Sequence, residues 1–364
     1  MDLVQLEKKY GGFYAPAFEI ELDGTDLVRE GMEIASVSVD NSLDEADHFT
    51  FTVDNAFDPV KGELKWIDTF LPAGKTVKIR IGYAGRLELL MAGIITSITA
   101  DFPSGGAPKL EVSGLDLSCL LMKETKSRSW DDATHSDAVS RIALDYGRFG
   151  LKGNVENTGV VYPKQMKPSG QSDYQYIQTL AQRNFFEFFV FGETLHFRSP
   201  KIASEPAVTL RWNESLIRFQ PEINLIGQVS EVEVRGWDPR AKREIVGTAR
   251  AGDELGARSG AGERSGSELI RALSADTVKE QLRFPVYSQQ EADQLAKSIL
   301  NKHAEGLVKG IGETIGIPDI LPGKTIRLEG LGPKFSKTYY VERTVHSIGG
   351  SGYQTTFHVK ENAI

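Results

Sequence analysis

The clearest hydrophobic pattern lies near the C-terminus. Ala292, Leu295, Ala296, Ile299 and Leu300 recur at helical spacing and make one apolar stripe. Ser288 and Glu291 stand at the S-x-x-E spacing of a capping box, Lys302 and His303 suit the last turn, and Gly306 suits the stop. The pattern predicts a helix over 288–304. Four alternating segments follow, at 307–315, 325–329, 339–348 and 353–359, separated by turn-forming Pro and Gly. Tyr353, Thr355, Phe357 and Val359 alternate as a strand with one buried face requires. One helix lying on a small antiparallel sheet or barrel is the economical reading of this unit.

The same pattern occurs near the N-terminus. Leu71-Pro72-Ala73-Gly74-Lys75-Thr76-Val77 matches Leu321-Pro322-Gly323-Lys324-Thr325-Ile326. Each is followed by an apolar strand (91–99; 339–348), a Gly-rich turn and a last alternating strand. Two related β domains in one chain follow from this repeat, about 250 residues apart. Residues 1–14 read as a polar lead-in. Strands are predicted near Phe18–Leu22 and 34–39, and around Phe49, Phe51 and Val53.

The middle of the chain has another texture. Val139, Ile142, Ala143 and Tyr146 form a short helical stripe, capped by Thr134 or Ser136. Ser172 caps a second helix carrying Tyr174, Ile177, Leu180 and Ala181. Phe185 to Phe191 then reads as a core strand whose other face could be an interface, with a hairpin through Gly192-Glu193. The organisation expected is 1–124, a first β domain; 125–215, a small α+β domain; and 216–364, a second β domain. Six glycines in 247–267 read as a flexible loop, ordered on assembly or simply a tolerated insertion.

With 40% hydrophobic and 25% charged residues among 364, the chain is globular rather than disordered. A net charge of −8 argues against binding nucleic acid by phosphate neutralisation. The single cysteine, Cys119, allows no internal disulfide. No apolar run reaches the ~18 residues of a membrane span, and no signal pattern opens the chain. Folding in a cytoplasm is expected.

No chemistry-bearing motif emerges. The Gly-Lys-Thr triplets at 74 and 323 lack the phosphate-loop glycine five residues earlier, where Thr69 and Pro318 stand, and both open strands. Zinc motifs and a nucleophile elbow are missing from the sequence. His135 lies near Asp131, Asp132 and Asp137, where acidic residues suit a helix start. The expectation is no catalytic residue, no metal, no cofactor and no enzymatic activity. The alternatives to be weighed are a cell-wall hydrolase, tail-associated if the resemblance described next holds, and a monomeric glycan-binding module.

Several stretches resemble the phage late control gene D family. They are Ser288-Gln289-Gln290-Glu291-Ala292, the 316–322 turn, Tyr339-Tyr340-Val341, the 349–357 segment, Val234-Arg235-Gly236-Trp237-Asp238-Pro239, the 35–54 segment and Gln171-Ser172-Asp173. That resemblance implies the baseplate hub of contractile tails and injection systems, a family related to the hub of T-even phages and the N-terminal part of type VI secretion spikes. It implies a mainly β fold: two tube-protein-like antiparallel β-barrels, each with a packed helix or loop, around a small α/β part. A homotrimer would present six like units in a ring, joining a sixfold inner tube to a threefold spike. The implied partners are a second and third copy, a separate spike protein, the inner tube or its initiator, and other baseplate proteins. Because the chain stops after its last strand, the needle would be a separate protein. Candidate contacts are Trp237, Asp238 and Pro239, read as a structural turn with a packed indole or an interface. The polar face Gln289, Asp293, Lys297 and Lys302 is read as a contact surface or a plain solvated face.

Overall fold

The computed structural model describes residues 1–67, 70–123, 125–238, 241–256, 263–273 and 278–364. Its frame is a 13-stranded sheet built from both ends of the chain. The N-terminal part contributes β1 (Pro16–Leu22), β2 (Thr25–Asp26), β3 (Ile34–Ser42), β4 (His48–Val53), β7 (Thr76–Tyr83), β8 (Arg86–Asp101) and β9 (Lys109–Asp116). Two short strands, β5 (Phe57–Asp58) and β6 (Glu63–Leu64), form a side ribbon. The middle part holds β10 (Arg128–Thr134), β11 (Lys152–Val155), β12 (Val161–Lys167), β13 (Glu187–Phe191) and β14 (Thr194–Arg198). With them go α2 (His135–Asp145) and α3 (Asp173–Asn184). The C-terminal part adds β15 (Val208–Arg211), β16 (Leu216–Ile223), β17 (Glu231–Asp238), β18 (Arg243–Arg250), β19 (Lys279–Arg283), β20 (Val308–Ile315), β21 (Thr325–Glu329), β22 (Thr338–Gly349) and β23 (Gly352–Glu361). Its long helix is α5 (Gln289–Ala304), and α4 (Gly266–Leu273) precedes it.

The internal repeat is visible in the topology. In the first half the spatial order is β1-β7-β8-β9-β4-β3; in the second it is β15-β21-β22-β23-β20-β16. Numbering each set one to six along the chain gives the same order, 1-4-5-6-3-2, twice. The likeness extends to single hydrogen bonds. Gly74 donates its N–H to Ile95 O at 2.8 Å and Ile95 N–H to Lys75 O at 3.0 Å; Gly323 and Val341, then Val341 and Lys324, repeat the two bonds at 2.9 Å each. Both turn glycines have positive φ, +92° and +76°, which a side chain would strain. Each half carries a β-bulge at matching places: between Ile95 and Ser97 and between Val341 and Arg343, and again between Ile34 and Ser36 and between Leu216 and Arg218. One pairing differs. β1 runs antiparallel to β7, whereas β15 runs parallel to β21.

The fold is mainly β with an α+β insert, as the sequence implies, but the two β units do not close as separate barrels among the described residues. They share one sheet through β3 and β22, paired antiparallel from Val37 opposite Ile348 to Ser42 opposite Arg343. One hydrophobic cluster, including Phe49, Phe51 and Ile79 with Tyr339, Phe357 and Val359, spans both halves. Val208 and Leu210 of β15 belong to it. A second cluster fills the middle part, where Val139, Ile142, Ile177, Leu180 and Phe197 meet.

Residues 1–14 are not a polar lead-in. Asp2 and Gln5 form a capping box for α1 (Leu3–Lys9), and Leu6 and Tyr10 are buried. The helix clasps the second half. Lys9 Nζ and Tyr10 Oη each meet the Asp319 carboxylate at 2.7 Å, and the Met1 amine donates to Ala207 O at 2.8 Å.

Helix α5 forms where its stripe places it, with the Ser288 side chain capping the Glu291 N–H. The Glu291 carboxylate accepts from the Tyr287 N–H at 2.8 Å. The helix does not lie on the four strands that follow it. Its stripe packs on the small sheet β18-β17-β19, in a third cluster of Val232, Val234, Ile245, Ala249, Ala292, Ala296 and Leu300. The flexible loop expected at 247–267 is corrected by the same packing. Gly247 to Arg250 complete β18, and Gly266 and Ser267 begin α4. Residues 257–262 lie outside the described residues.

Candidate assembly interface

The side chains singled out from sequence surround the β17–β18–α5 unit. Trp237 and Asp238 end β17, opposite Glu244 and Arg243. The indole is 58% exposed, so it is not the packed turn residue expected. It lines an open cleft with Glu244, Arg283 and Tyr287. The Asp238 carboxylate accepts the Ala241 N–H at 3.0 Å. Pro239 lies outside the described residues.

The four polar residues of α5 do not share a face. Gln289, Asp293 and Lys297 are four residues apart and form one row, but Lys302 is five beyond Lys297, roughly 140° around the axis. Gln289 donates to Val246 O at 2.8 Å and to Asp293 Oδ1 at 2.9 Å, so both are tied to their own unit. Lys297 is exposed. Lys302 lies 3.5 Å from Glu305 and faces a cleft of about 440 Å³ with Phe185, Phe186, His303 and Lys360. The more consequential polar residues of this helix are two that the hydrophobic pattern does not single out. Gln294 donates to Asn184 Oδ1 at 2.8 Å and Ser298 to Gln182 O at 2.5 Å, which fastens α5 to α3. Both stand at non-apolar positions of the stripe, which carry no signal of their partners.

The acidic cluster around His135 disperses. Thr134 caps α2 and exchanges hydrogen bonds with Asp137. His135 is buried, stacks on Tyr162 at 4.3 Å and bonds Asn184 at 2.8 Å. Burial pushes its pKa down to about 4, so the ring is neutral. Among the described residues, no three His, Cys, Asp or Glu side chains cluster so as to hold a metal. No helix among them is long and apolar enough to cross a membrane.

The seam between the halves is the best-built polar feature. Arg343 donates through Nε to Asp40 Oδ1 at 2.8 Å and through Nη2 to Oδ2 across β22 and β3. Beneath the end of β3 lie two buried carboxylates. Asp47 accepts from Asn41 at 2.7 Å and the Ser42 N–H at 2.8 Å. Asp116 accepts from the Ser118 N–H at 2.9 Å and the Asp47 N–H at 3.3 Å. Burial raises both pKa values, that of Asp116 to about 6, and the neighbouring Asp116 charge raises Asp47 further. The inward face of the seam is closed: Val37, Val39, Thr344 and His346 are buried. The arrangement holds two like halves at one fixed relation and presents edges of the same kind outward.

Residues 15–350 match the family model described as the Alg8 N-terminal domain. The chain belongs to that family. The Alg8 N-terminal domain is not the late control gene D family that the sequence resemblance implied. The coarser implication of that resemblance, a phage-tail fold, stands. A tail protein from Neisseria meningitidis MC58 superposes with a TM-score of 0.71 at 15% identity, over 96% of this chain and 97% of that one. The 43 kDa tail protein of prophage MuSo2 from Shewanella oneidensis gives 0.69 at 11% identity, over 95% and 98%. The E. coli c3393 protein, a component of the type VI secretion system, gives 0.57 at 13% identity, over 94% and 76%. At these identities the likeness is one of fold. No curated protein matches the sequence significantly.

Proposed function

We propose that this protein is a structural baseplate hub of a contractile injection machine, a phage tail or a relative of one. Three copies would form a ring of six like halves, joining a sixfold inner tube to a threefold spike. The observation that carries this reading is the doubled strand order, with its doubled bulges and turn bonds, on a fold shared with phage tail proteins. Two like units per chain turn threefold symmetry into near-sixfold symmetry without a second gene product. The protein does no chemistry in this reading and acts through its surfaces. Its partners are two further copies, a spike protein, the inner tube or its initiator, and other baseplate proteins. It is assembled in the bacterial cytoplasm and works within the baseplate. The division at 1–124, 125–215 and 216–364 belongs to the same proposal. Trp237, Asp238, Pro239 and the α5 residues Gln289, Asp293, Lys297 and Lys302 are its candidate contacts, with exposed Trp237 and Lys297 the foremost.

Light scattering of the purified chain tests this. A stable mass of three chains is expected. A monomer at every concentration, alone and with tube and spike proteins added, overturns the ring. Cell-wall zymography that shows clearing would replace the structural role with a hydrolytic one.

A further inference from the structure

The internal seam has two sides that recur elsewhere on the molecule. It joins strand two of the first half, β3, to strand five of the second, β22. Strand five of the first half is β8, and strand two of the second half is β16. Among the described residues β8 pairs only with β7 and β9, and β16 pairs along its length with β20 alone. The turn bonds and the bulges place Ile95 opposite Val341 and Ile34 opposite Leu216 in the repeat. By that alignment Ser97 to Phe102 correspond to Arg343 to Ile348, and Phe219 to Asn224 correspond to Val37 to Ser42.

We infer that the free edge of β8 in one copy pairs antiparallel with the free edge of β16 in the next, rebuilding the internal seam between chains. This rests on the ring reading above and names the surface that closes the ring. The register follows by transfer: Ile98 opposite Ile223, Ala100 opposite Pro221 and Phe102 opposite Phe219, with Thr99 opposite Glu222 between them.

Two observations support it. The first is the direction of the backbone donors. Leu43 donates its N–H across the seam to Glu342 O at 3.1 Å, so alternate residues Asn41, Val39 and Val37 face the same way. In β16, Asn224 donates to Leu307 O on the β20 side at 2.8 Å. Ile223, Pro221 and Phe219 therefore face outward, as their counterparts do. The second is the character of the side chains. At the internal seam the residues of these positions are buried. At the free edges the same positions hold Ile98, Ile223, Phe102 and Phe219. Phe102 is 60% exposed and Ile223 is 38% exposed, although their counterparts Ile348 and Asn41 are covered. Proline at 221 has no N–H, so this edge is one donor short of its counterpart at Val39. An edge strand interrupted in this way is a poor template for indiscriminate pairing. It joins only a partner that also covers its apolar face.

Single-cysteine chains test the register. Thr99→Cys and Glu222→Cys occupy a pair without mutual hydrogen bonds, about 4.5 Å apart at Cα, within disulfide range. The native Cys119 is buried. Mild oxidation of the mixed variants should give a covalent dimer, and Thr99→Cys with Gln220→Cys, two residues out of register, should give at least tenfold less. Phe102→Asp alters an exposed side chain, so the chain should keep its circular dichroism while the Thr99–Glu222 cross-link disappears. A trimer by light scattering with no in-register cross-link overturns this inference and leaves the ring reading standing. A monomer with no cross-link overturns both.

Discussion

Arg343 and Asp40 are 303 residues apart in sequence and form a two-point bridge across the seam between the two halves. Paired, planar recognition of a carboxylate is where arginine exceeds lysine. The Arg343 guanidinium is correspondingly held above its ordinary pKa, chiefly by its bond to Asp40. Both side chains remain partly exposed, so water and salt weaken the contact. Arg343→Ala should cost about 0.5–1 kcal/mol of stability by urea unfolding. A double-mutant cycle with Asp40→Ala should recover most of that as coupling energy. Full additivity of the two variants would show that the bridge does not hold the seam.

A stronger effect is expected in the middle part. Lys167 and Asp173 pair at 2.6 Å with both side chains fully buried, and Asp173 also accepts from Tyr146 Oη at 2.9 Å. Removing one member of a buried pair strands the other charge, at about 3–5 kcal/mol. Arg128 lies 3.4 Å from Asp173 and offsets part of that loss. Lys167→Met should therefore fall near the low end, about 3 kcal/mol, measured by denaturant unfolding. Joined with Asp173→Leu it should cost less than alone.

Much of this architecture is legible in the sequence, and the parts that are not share a cause. Strand and helix periods mark which residues are buried, so α5, the Phe188–Phe197 hairpin and the final three strands stand close to where the pattern puts them. A period does not say what covers a face. The α5 stripe is met by Ile245 and Ala249, from a segment whose glycines read as loop. Gly247 is there for close approach: a Cβ would lie 2.2 Å from the Ala292 backbone. The seam is hidden for a related reason. Thr344, His346 and Asn41 line it, and polar residues in a strand announce solvent unless their partners are known. The row of Gln289, Asp293 and Lys297 is readable in the sequence, whereas Lys302 falls off it at 3.6 residues per turn. Trp237 stands in a turn-like Trp-Asp-Pro, and its exposure follows from its place at the end of the central strand β17, beyond the last residue that β19 pairs.

The carboxylates beneath the seam give a pH prediction. A buried acid with a raised pKa favours its neutral form in the fold. Its contribution to stability is full below about pH 4, near the unfolded value, and is lost as pH rises through about 6, the folded value of Asp116. Neutral His135 and His346, both pushed down to about 4 by burial, work in the opposite sense. The informative comparison is with Asp116→Asn, which also removes the charge that raises Asp47. Relative to the unsubstituted chain, the variant should gain on the order of 2 kcal/mol between pH 4 and pH 7. Parallel stability curves for the two proteins over that range would remove the buried-acid reading.

The last prediction concerns the glycines that let aromatic rings lie across strands. Gly312 of β20 stands opposite Phe357 of β23, and a Cβ there would come within 2.2 Å of the ring. In the first half Gly114 of β9 stands opposite Phe49 of β4, where a Cβ would meet the ring at 2.5 Å and the Ile94 carbonyl at 2.1 Å. Both rings are fully buried, so neither can swing aside into water. Overpacking of this kind costs about 1–3 kcal/mol. Gly312→Ala should fall in that range, and the added Phe357→Leu change should recover part of the loss by removing the obstructing ring. Gly114→Ala should recover less with Phe49→Leu, because its second obstacle is backbone that cannot move without opening β8 from β9. Thermal unfolding of the four variants separates the two cases. Equal recovery in both halves would mean that the rings, and not the strand spacing, set the need for glycine.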